Sequence, residues 1–341
     1  MKKMVNNVTN KMFARAINRI NRFEDKIIKN IIKSQENTDS LVRELIVEER
    51  LRAETFPFGG IMQISEKEIA TKLFNGSIMY LDPSDIAVVP HIVFESIWEK
   101  QITYAWQDFL YINSKAIVFD IGANFGYFGL LAAQILDKKE AKVYLFEPNV
   151  NLIPYINKTL SVNWLNENSI IVNSAVSDDN GTATLNVLKD YTGSSSLHSL
   201  DKLDSYLSHK MKIENEQSQI VKSVSIDQFC SDNNIDQVDL IKMDIEGYEE
   251  KAYQGMRKTI QRSKNVTLFV EFTPDGYENP SLFYKTMLQD FDNVYLINEK
   301  GKIVEPKNKN FETVIGKESD WIMIVFTKLN KKKLSNILAV K

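Results

Sequence analysis

The chain has 341 residues, which is enough for one large domain with an appendage or for two modest domains. Its 43% hydrophobic and 26% charged residues are typical of a globular protein, and it contains no apolar run long enough to cross a bilayer. A net charge of −3 argues against nucleic acid as a partner, and a single cysteine with three histidines argues against disulfides and zinc.

Residues 1–54 differ in pattern from the rest and are predicted to form a helical N-terminal arm. The first seven residues lack the apolar stretch of a secretory signal, which predicts a cytoplasmic protein. Basic residues separate apolar side chains that recur at helical spacing, namely Phe13, Ile17, Ile20, Ile27 and Ile31. Two roles stay open: an arm that packs on the core or on a second copy of the chain, and a basic amphipathic helix that rests on the inner membrane surface.

Residues 55–114 are predicted to form a mixed segment that leads into the main domain. It opens at Thr55–Gly60, where proline and glycine interrupt the helical pattern. Further along, Ile92–Leu110 is predicted to be one helix with a buried face formed by Phe94, Ile97, Trp98, Ile102, Ala105 and Phe109.

From Lys115 the pattern changes to alternating strands and helices, which predicts a parallel sheet. Strands are predicted at Ala116–Ile121, Lys142–Phe146, Ser169–Asn173, Val238–Met243 and Val266–Val270, with two late strands at Asn293–Ile297 and Trp321–Phe326. Two more, Thr182–Leu188 and Ser223–Ile226, flank a Gly/Ser-rich excursion. Residues 115–328 are therefore predicted to be an α/β domain with a Rossmann-like, mostly parallel sheet and a late antiparallel strand, followed by a basic tail at 329–341.

A glycine loop lies between the first predicted strand of this sheet and the helix predicted after it. Gly122 and Gly126 would let the backbone approach a ligand closely, and Asp120 ends the strand before them. The spacing is G-x-x-x-G and not G-x-G-x-x-G, so the fingerprint of a pyrophosphate-binding loop is not met. A carboxylate at Asp120 suits a ligand with a cationic end, and S-adenosylmethionine, with its ammonium and sulfonium groups, fits better than a diphosphate.

Glu147 follows the next strand, 21 residues after Gly126. An acid at this place can accept hydrogen bonds from the ribose hydroxyls of an adenosine-containing ligand. It does not separate a nicotinamide cofactor from S-adenosylmethionine, and taken alone it could equally be a surface acid at a strand end.

Two further acids, Asp244 and Glu246, follow the predicted strand Val238–Met243. Ligands of open α/β sheets bind at the carboxyl ends of the strands, so both acids are placed where chemistry is expected. They can orient a hydroxyl, accept its proton or bind a metal. The alternative is that they cap the helix predicted at Glu249–Met256.

These motifs together resemble the FkbM-type methyltransferases, which are Rossmann-like S-adenosylmethionine enzymes. The resemblance covers Trp98 to Phe326, and it rests on Asp120–Gly126, Glu147-Pro148, Ala175–Asp178 and Asp239–Glu249, with Trp98-Glu99 as a lead-in. Many members of the family O-methylate hydroxyls of glycans, polyketides or other natural products. The resemblance implies an O-methyltransferase that acts on a sugar, glycan or other small-molecule hydroxyl.

The resemblance also implies roles for individual residues. The methionine part of the cofactor would be held by Asp120, Gly122, Asn124 and Gly126. Glu147 would hold the ribose, and Ser174 and Ala175 would lie near the adenine. Asp244 and Glu246 would face the reacting centre.

Two weaker hypotheses and two rival functions stay open. His198 is a candidate base, with a packing or surface role as its alternative. Asp244, Glu246 and Glu271 are a weak candidate for a divalent metal site, although a metal is not expected. One rival is an NAD-dependent oxidoreductase, which the glycine spacing disfavours. The other is a catalytically silent cofactor-binding scaffold, which would have no need of the acids after the fourth strand.

Overall fold

A computed structural model describes residues 60–113, 115–136, 138–188, 197, 216–316, 321–335 and 337–338. The predicted N-terminal helices and His198 lie outside these residues. Within the described ranges, no helix combines the length and the apolar character that a membrane span needs.

The described residues alternate between strands and helices along most of the chain. The strands are β1 Ile61–Ser65, β2 Glu68–Lys72, β3 Ile78–Leu81, β4 Ile117–Ile121, β5 Lys142–Phe146, β6 Ser169–Val172, β7 Ala175–Val176, β8 Gly181–Leu188, β9 Glu216–Val224, β10 Leu240–Met243, β11 Thr267–Phe272, β12 Asn293–Ile297, β13 Ile303–Val304 and β14 Ile322–Thr327. The helices are α1 Val89–Glu95, α2 Lys100–Tyr111, α3 Tyr127–Ile135, α4 Ile153–Val162, α5 Ile226–Asp232, α6 Glu249–Gln254, α7 Arg257–Arg262, α8 Pro280–Asp290, α9 Phe311–Ile315 and α10 Lys331–Leu334.

An eight-stranded sheet in the order β13-β12-β14-β11-β10-β4-β5-β6 forms the centre of the fold. The five strands from β11 to β6 are parallel, and β14 pairs antiparallel with both β11 and β12. The predicted α/β class and mostly parallel Rossmann-like sheet are confirmed. The short strand β13, which pairs antiparallel with β12, adds a second late strand that runs against the others.

Register brings the carboxyl ends of the central strands together. Met243 of β10 pairs with Ile121 of β4 on one side and with Val270 of β11 on the other. All three side chains are fully buried, as expected for strands covered on both faces. The chain segments that follow β4 and β10 therefore leave the sheet side by side.

The helix predicted at Ile92–Leu110 is two helices, α1 and α2. Between them Ser96 and Glu99 adopt left-handed backbone conformations, with φ of 58° and 43°. An α-helix cannot pass through such residues, so the periodic apolar pattern is cut. Phe94 is 66% exposed and does not share the buried face predicted for it, whereas the other five predicted positions are buried or half-buried.

Two small sheets flank the large one. The antiparallel sheet β1-β2-β3 was not predicted from the mixed segment. In the other, β7 and β8 lie on either side of β9. The strand predicted at Ser223–Ile226 is wrong in its bounds, because β9 ends at Val224 and the hydroxyl of Ser225 accepts a hydrogen bond from the N–H of Gln228 to start α5.

Candidate functional site

The glycine loop makes a tight turn from β4 into α3. Its backbone N–H groups at Gly122 and Ala123 both donate to the carbonyl of Phe146, at 3.0 Å each. Gly122, Asn124 and Gly126 have positive φ values of 81°, 51° and 83°. A Cβ at Gly122 would lie 1.9 Å from the carbonyl oxygen of Asp244. A glycine is therefore required at position 122 because the backbone there lies close to the loop after β10 of the same chain.

A cleft opens at the carboxyl ends of β4, β5 and β10. This is the edge of an open α/β sheet at which ligands usually bind. Of the predicted site residues, those that line it are Gly122, Asn124, Glu147, Ser174, Ala175, Asp244 and Glu246. The structure thus brings together residues that are up to 124 positions apart in the chain.

Asp120 and Gly126 do not line the cleft, although both were predicted to hold the cofactor. Asp120 is buried, and its Oδ2 accepts a hydrogen bond from the N–H of Gly129 at 2.7 Å. A Cβ at Gly126 would press on Ile156 and Leu145, at 3.1 and 3.3 Å. Both residues shape the loop and the start of α3 that follows it.

Glu147 connects the loops after β4 and β5. Its Oε2 accepts from the N–H of Asn124 at 2.7 Å and its Oε1 from the N–H of Asn149 at 2.8 Å. Each carboxylate oxygen has a second lone pair, so each can still accept a hydrogen bond from a hydroxyl group. Burial raises the pKa of Glu147 to about 7, because its effect outweighs that of the two hydrogen bonds, which lower the pKa.

Asn124 offers the cleft a second acceptor. Its Oδ1 is buried and has no hydrogen-bond partner among the residues that the structure describes. Because a buried acceptor without a donor costs about 1–3 kcal/mol, a ligand N–H that reached this atom would be favoured.

Apolar side chains form the part of the cleft near Ser174 and Ala175. Val176, Leu185, Leu197 and Ile245 are further apolar lining residues, and Leu185 and Leu197 pack with Ala175. Leu185 and Leu197 were not identified from the sequence. They belong to β8 and to the excursion after it, and nothing local in their sequence shows that the second small sheet reaches the cleft.

Asp244 is held by a buried lysine. Lys242 donates from Nζ to Oδ2 of Asp244 at 2.6 Å, and its Nζ lies 4.4 Å from the ring centroid of Phe128. Burial alone would raise the pKa of Asp244, but the ammonium of Lys242 holds it below its ordinary value. The contact of Lys242 with Asp244 was not predicted, although a lysine inside the apolar run Leu240–Met243 is a signal that could have found it.

Glu246 lies on the same loop, and its pKa is shifted in the opposite direction. Burial, together with the neighbouring charges of Asp244 and Glu249, raises the pKa of Glu246 well above its ordinary value. Asp244 is therefore the stronger acid of the two and loses its proton first.

The alternative of helix capping by Asp244 or Glu246 is wrong. The first turn of α6 follows Tyr248 without a side-chain cap. Glu249 instead supports the loop, with Oε1 accepting from the N–H groups of Ile245 and Gly247 and Oε2 accepting from the hydroxyl of Tyr277. Neither Asp244 nor Glu246 caps α6, and both line the cleft.

We expect the ligand-free protein to lose stability as the pH rises from 5 to 8. Burial raises the pKa of Asp120 to about 6 and those of Glu147 and Glu249 to about 7. The unfolded chain ionises these groups near pH 4, whereas the folded protein keeps their protons until the higher pKa is passed. Between those values each group lowers the free energy of unfolding by up to about 1.4 kcal/mol per pH unit.

Urea unfolding at pH 5, 6, 7 and 8 measures this dependence. Glu147→Gln removes one of the three groups and should make the dependence shallower. A free energy of unfolding that rises over this range would contradict the prediction.

Comparison with known proteins gives a family match over the site. The sequence model for the methyltransferase FkbM domain matches residues 120–319, which is more than half of the chain. No curated protein matches.

Several solved structures are similar. Methyltransferase FkbM from Methylobacillus flagellatus KT is 16% identical with a TM-score of 0.38, and the match covers 62% of this chain and 43% of that one. M. jannaschii TYW2 in complex with AdoMet is 16% identical with a TM-score of 0.39, covering 79% and 88%. An rRNA methylase from Streptococcus thermophilus is 13% identical with a TM-score of 0.35, covering 69% and 100%. These likenesses are too distant to indicate what the present chain acts on.

Proposed function

The chain belongs to the FkbM methyltransferase family, and we propose that it methylates a hydroxyl of a sugar, glycan or related natural product. The matched region is an S-adenosylmethionine-dependent methyltransferase domain. The observation that carries the proposal for the acceptor is the ionised Asp244 in the same cleft as Asn124 and Glu147. A hydroxyl must lose its proton when its oxygen is methylated, and a carboxylate at this position can accept that proton.

The polar groups of the cleft fit S-adenosylmethionine. The buried Oδ1 of Asn124 suits the ammonium of the methionine part, since it needs a donor. Glu147 has lone pairs for the ribose hydroxyls, and the apolar wall at Ala175 and Leu185 suits the adenine. When bound, S-adenosylmethionine supplies a methyl group on a positively charged sulfur, which an oxygen nucleophile can displace.

Asp244 and Glu246 would have different roles toward the acceptor. Asp244 accepts the hydrogen bond of the reacting hydroxyl and takes its proton as the oxygen is methylated. Burial and the charge of Asp244 favour the protonated form of Glu246, which can donate a hydrogen bond to a second oxygen of a sugar. Lys242 keeps Asp244 ionised and fixes its Oδ2, so that alignment of the hydroxyl is prepared before the acceptor binds.

The rival functions have less support. An NAD-dependent oxidoreductase is disfavoured by the match to a methyltransferase family over residues 120–319. A catalytically silent scaffold would not need two acids with oppositely shifted pKa values in its ligand cleft. His198 stays a prediction, because it lies outside the described residues.

We expect Asp244→Asn to slow methyl transfer by about 10²–10⁴-fold, the usual contribution of a general base. The substitution keeps the shape of the side chain, so the affinity for S-adenosylmethionine in calorimetry should stay close to that of the wild type. Turnover is measured by mass spectrometry with methyl-labelled S-adenosylmethionine and a panel of monosaccharides and glycans.

Asp292→Asn is the matched control, since Asp292 is exposed and lies at the far end of α8 from the cleft loops. If Asp244→Asn and Glu246→Gln both turned over like the wild type, the assignment of these acids would be wrong. Methylation of amines alone in the panel would contradict the hydroxyl acceptor.

A further inference from the structure

Glu99 brings a third carboxyl group to Asp244 and Glu271. One carboxylate oxygen from each of the three residues lies within 4.8 Å of the other two. Glu99 precedes α2 with a left-handed backbone, and it comes from a segment before the matched family region. Glu271 lies inside β11, which extends to Phe272 and so continues past the predicted end of that strand.

One carboxyl oxygen of Glu99 is buried without a partner among the residues that the structure describes. This oxygen, Oε2, is shut off from solvent and accepts no hydrogen bond there. Lys242 is already engaged with Asp244 at 2.6 Å. A buried carboxyl oxygen without a donor is costly, and a bound cation would satisfy it.

The spacing of the three oxygens suits a hard divalent cation. Mg²⁺ and Ca²⁺ bind oxygen ligands at about 2.0–2.1 and 2.3–2.6 Å, so two ligands of one ion lie at most about 4 or 5 Å apart. The carboxylate oxygens lie no more than 4.8 Å apart, which is within the separation allowed around Ca²⁺. To bind Mg²⁺, the three oxygens would need to move only slightly closer together.

We propose that Glu99, Asp244 and Glu271 bind a hard divalent cation at the edge of the cleft. The metal site predicted from the sequence consisted of Asp244, Glu246 and Glu271, and in the structure Glu99 replaces Glu246 as the third ligand. An ion at this position would share the carboxylate of Asp244 with the acceptor hydroxyl, and it could itself hold an acceptor oxygen. The site goes beyond the proposed function, since cation binding requires neither S-adenosylmethionine nor an acceptor.

Titration of the full chain with Mn²⁺, followed by electron paramagnetic resonance of the free ion, tests the proposal. We expect one saturable Mn²⁺ per chain, displaced by Mg²⁺ or Ca²⁺. Glu99→Gln should weaken binding by at least about tenfold, because losing even a group that only supports a metal ligand costs about 10–100-fold. Glu95→Gln is the control and should bind like the wild type, since the Glu95 side chain is exposed beside His91.

Two results would overturn the site: no saturable Mn²⁺ in the wild type, or unchanged binding in Glu99→Gln. Glu271→Gln gives an independent variant on another element, and thermal unfolding of each variant separates a lost ligand from a lost fold. Calorimetry with S-adenosylmethionine runs in parallel. A wild-type chain that binds the cofactor but not Mn²⁺ would refute the cation site and leave the proposed function standing.

Discussion

Replacing Gly122 by alanine is expected to destabilise the protein by more than about 3 kcal/mol. A residue with a side chain at φ +81° already costs about 1–3 kcal/mol. The added Cβ would also meet the carbonyl oxygen of Asp244 at 1.9 Å and Cγ2 of Ile245 at 2.9 Å. Backbone cannot move aside as a flexible side chain does, so the loops after β4 and β10 would be forced apart. Urea unfolding of the variant and the wild type measures the loss.

Gly76→Ala separates the two causes. Gly76 has a similar φ of +90°, but the nearest atom to an added Cβ is the mobile end of Lys72, at 3.9 Å. This control should show the backbone cost alone. If the two variants were equally destabilised, the contact between Gly122 and Asp244 would be irrelevant to stability.

Glu147→Gln is expected to weaken S-adenosylmethionine binding by about 100-fold or more. A hydrogen bond to a charged group contributes about 1.5–3 kcal/mol, and the two ribose hydroxyls would lose that charge. The new amide group would also face either the N–H of Asn124 or that of Asn149, so one donor would point at another. The change in affinity is measured by calorimetry at pH 8, because Glu147 of the wild type is mostly ionised above its pKa of about 7.

The pH dependence of binding provides the control for this variant. Since the pKa of Glu147 is raised to about 7, wild-type affinity should fall as the pH is lowered below 7, by up to tenfold per unit. Glu147→Gln should lose this dependence. Glu140→Gln, at an exposed ion pair with Lys115, should keep both the affinity and the dependence. A Glu147→Gln variant with wild-type affinity would place the ribose elsewhere.

The α/β sheet could be predicted because its signals are local. A buried parallel strand reads as a continuous apolar run, and β5 has the predicted bounds Lys142–Phe146. The break between α1 and α2 could not be predicted in this way. Ser96 and Glu99 are not residue types that announce a left-handed backbone, and the apolar spacing across them is compatible with one helix.

The site was predictable to the extent that its residues follow strands. Asn124, Glu147 and Asp244 all stand just past a strand end, and the register of a parallel sheet brings such positions together. Glu99 precedes the sheet region and reaches the acids through packing between distant segments. Its contact with Asp244 and Glu271 depends on three-dimensional arrangement, which no spacing in the sequence encodes.

The pairing of β8 with β9 has a consequence for how this enzyme could be re-engineered. The antiparallel ladder runs from Gly181 opposite Ser223 to Leu188 opposite Glu216, so Leu188 and Glu216 lie next to each other. Doubling the length of the connection between them costs only about 0.6 kcal/mol. Grafts of different length between Leu188 and Glu216 should therefore leave the eight-stranded sheet intact. Since Leu197 packs with Ala175 and Leu185 in the wall that we assign to the adenine, such grafts offer a route to altered cofactor preference on an unchanged sheet.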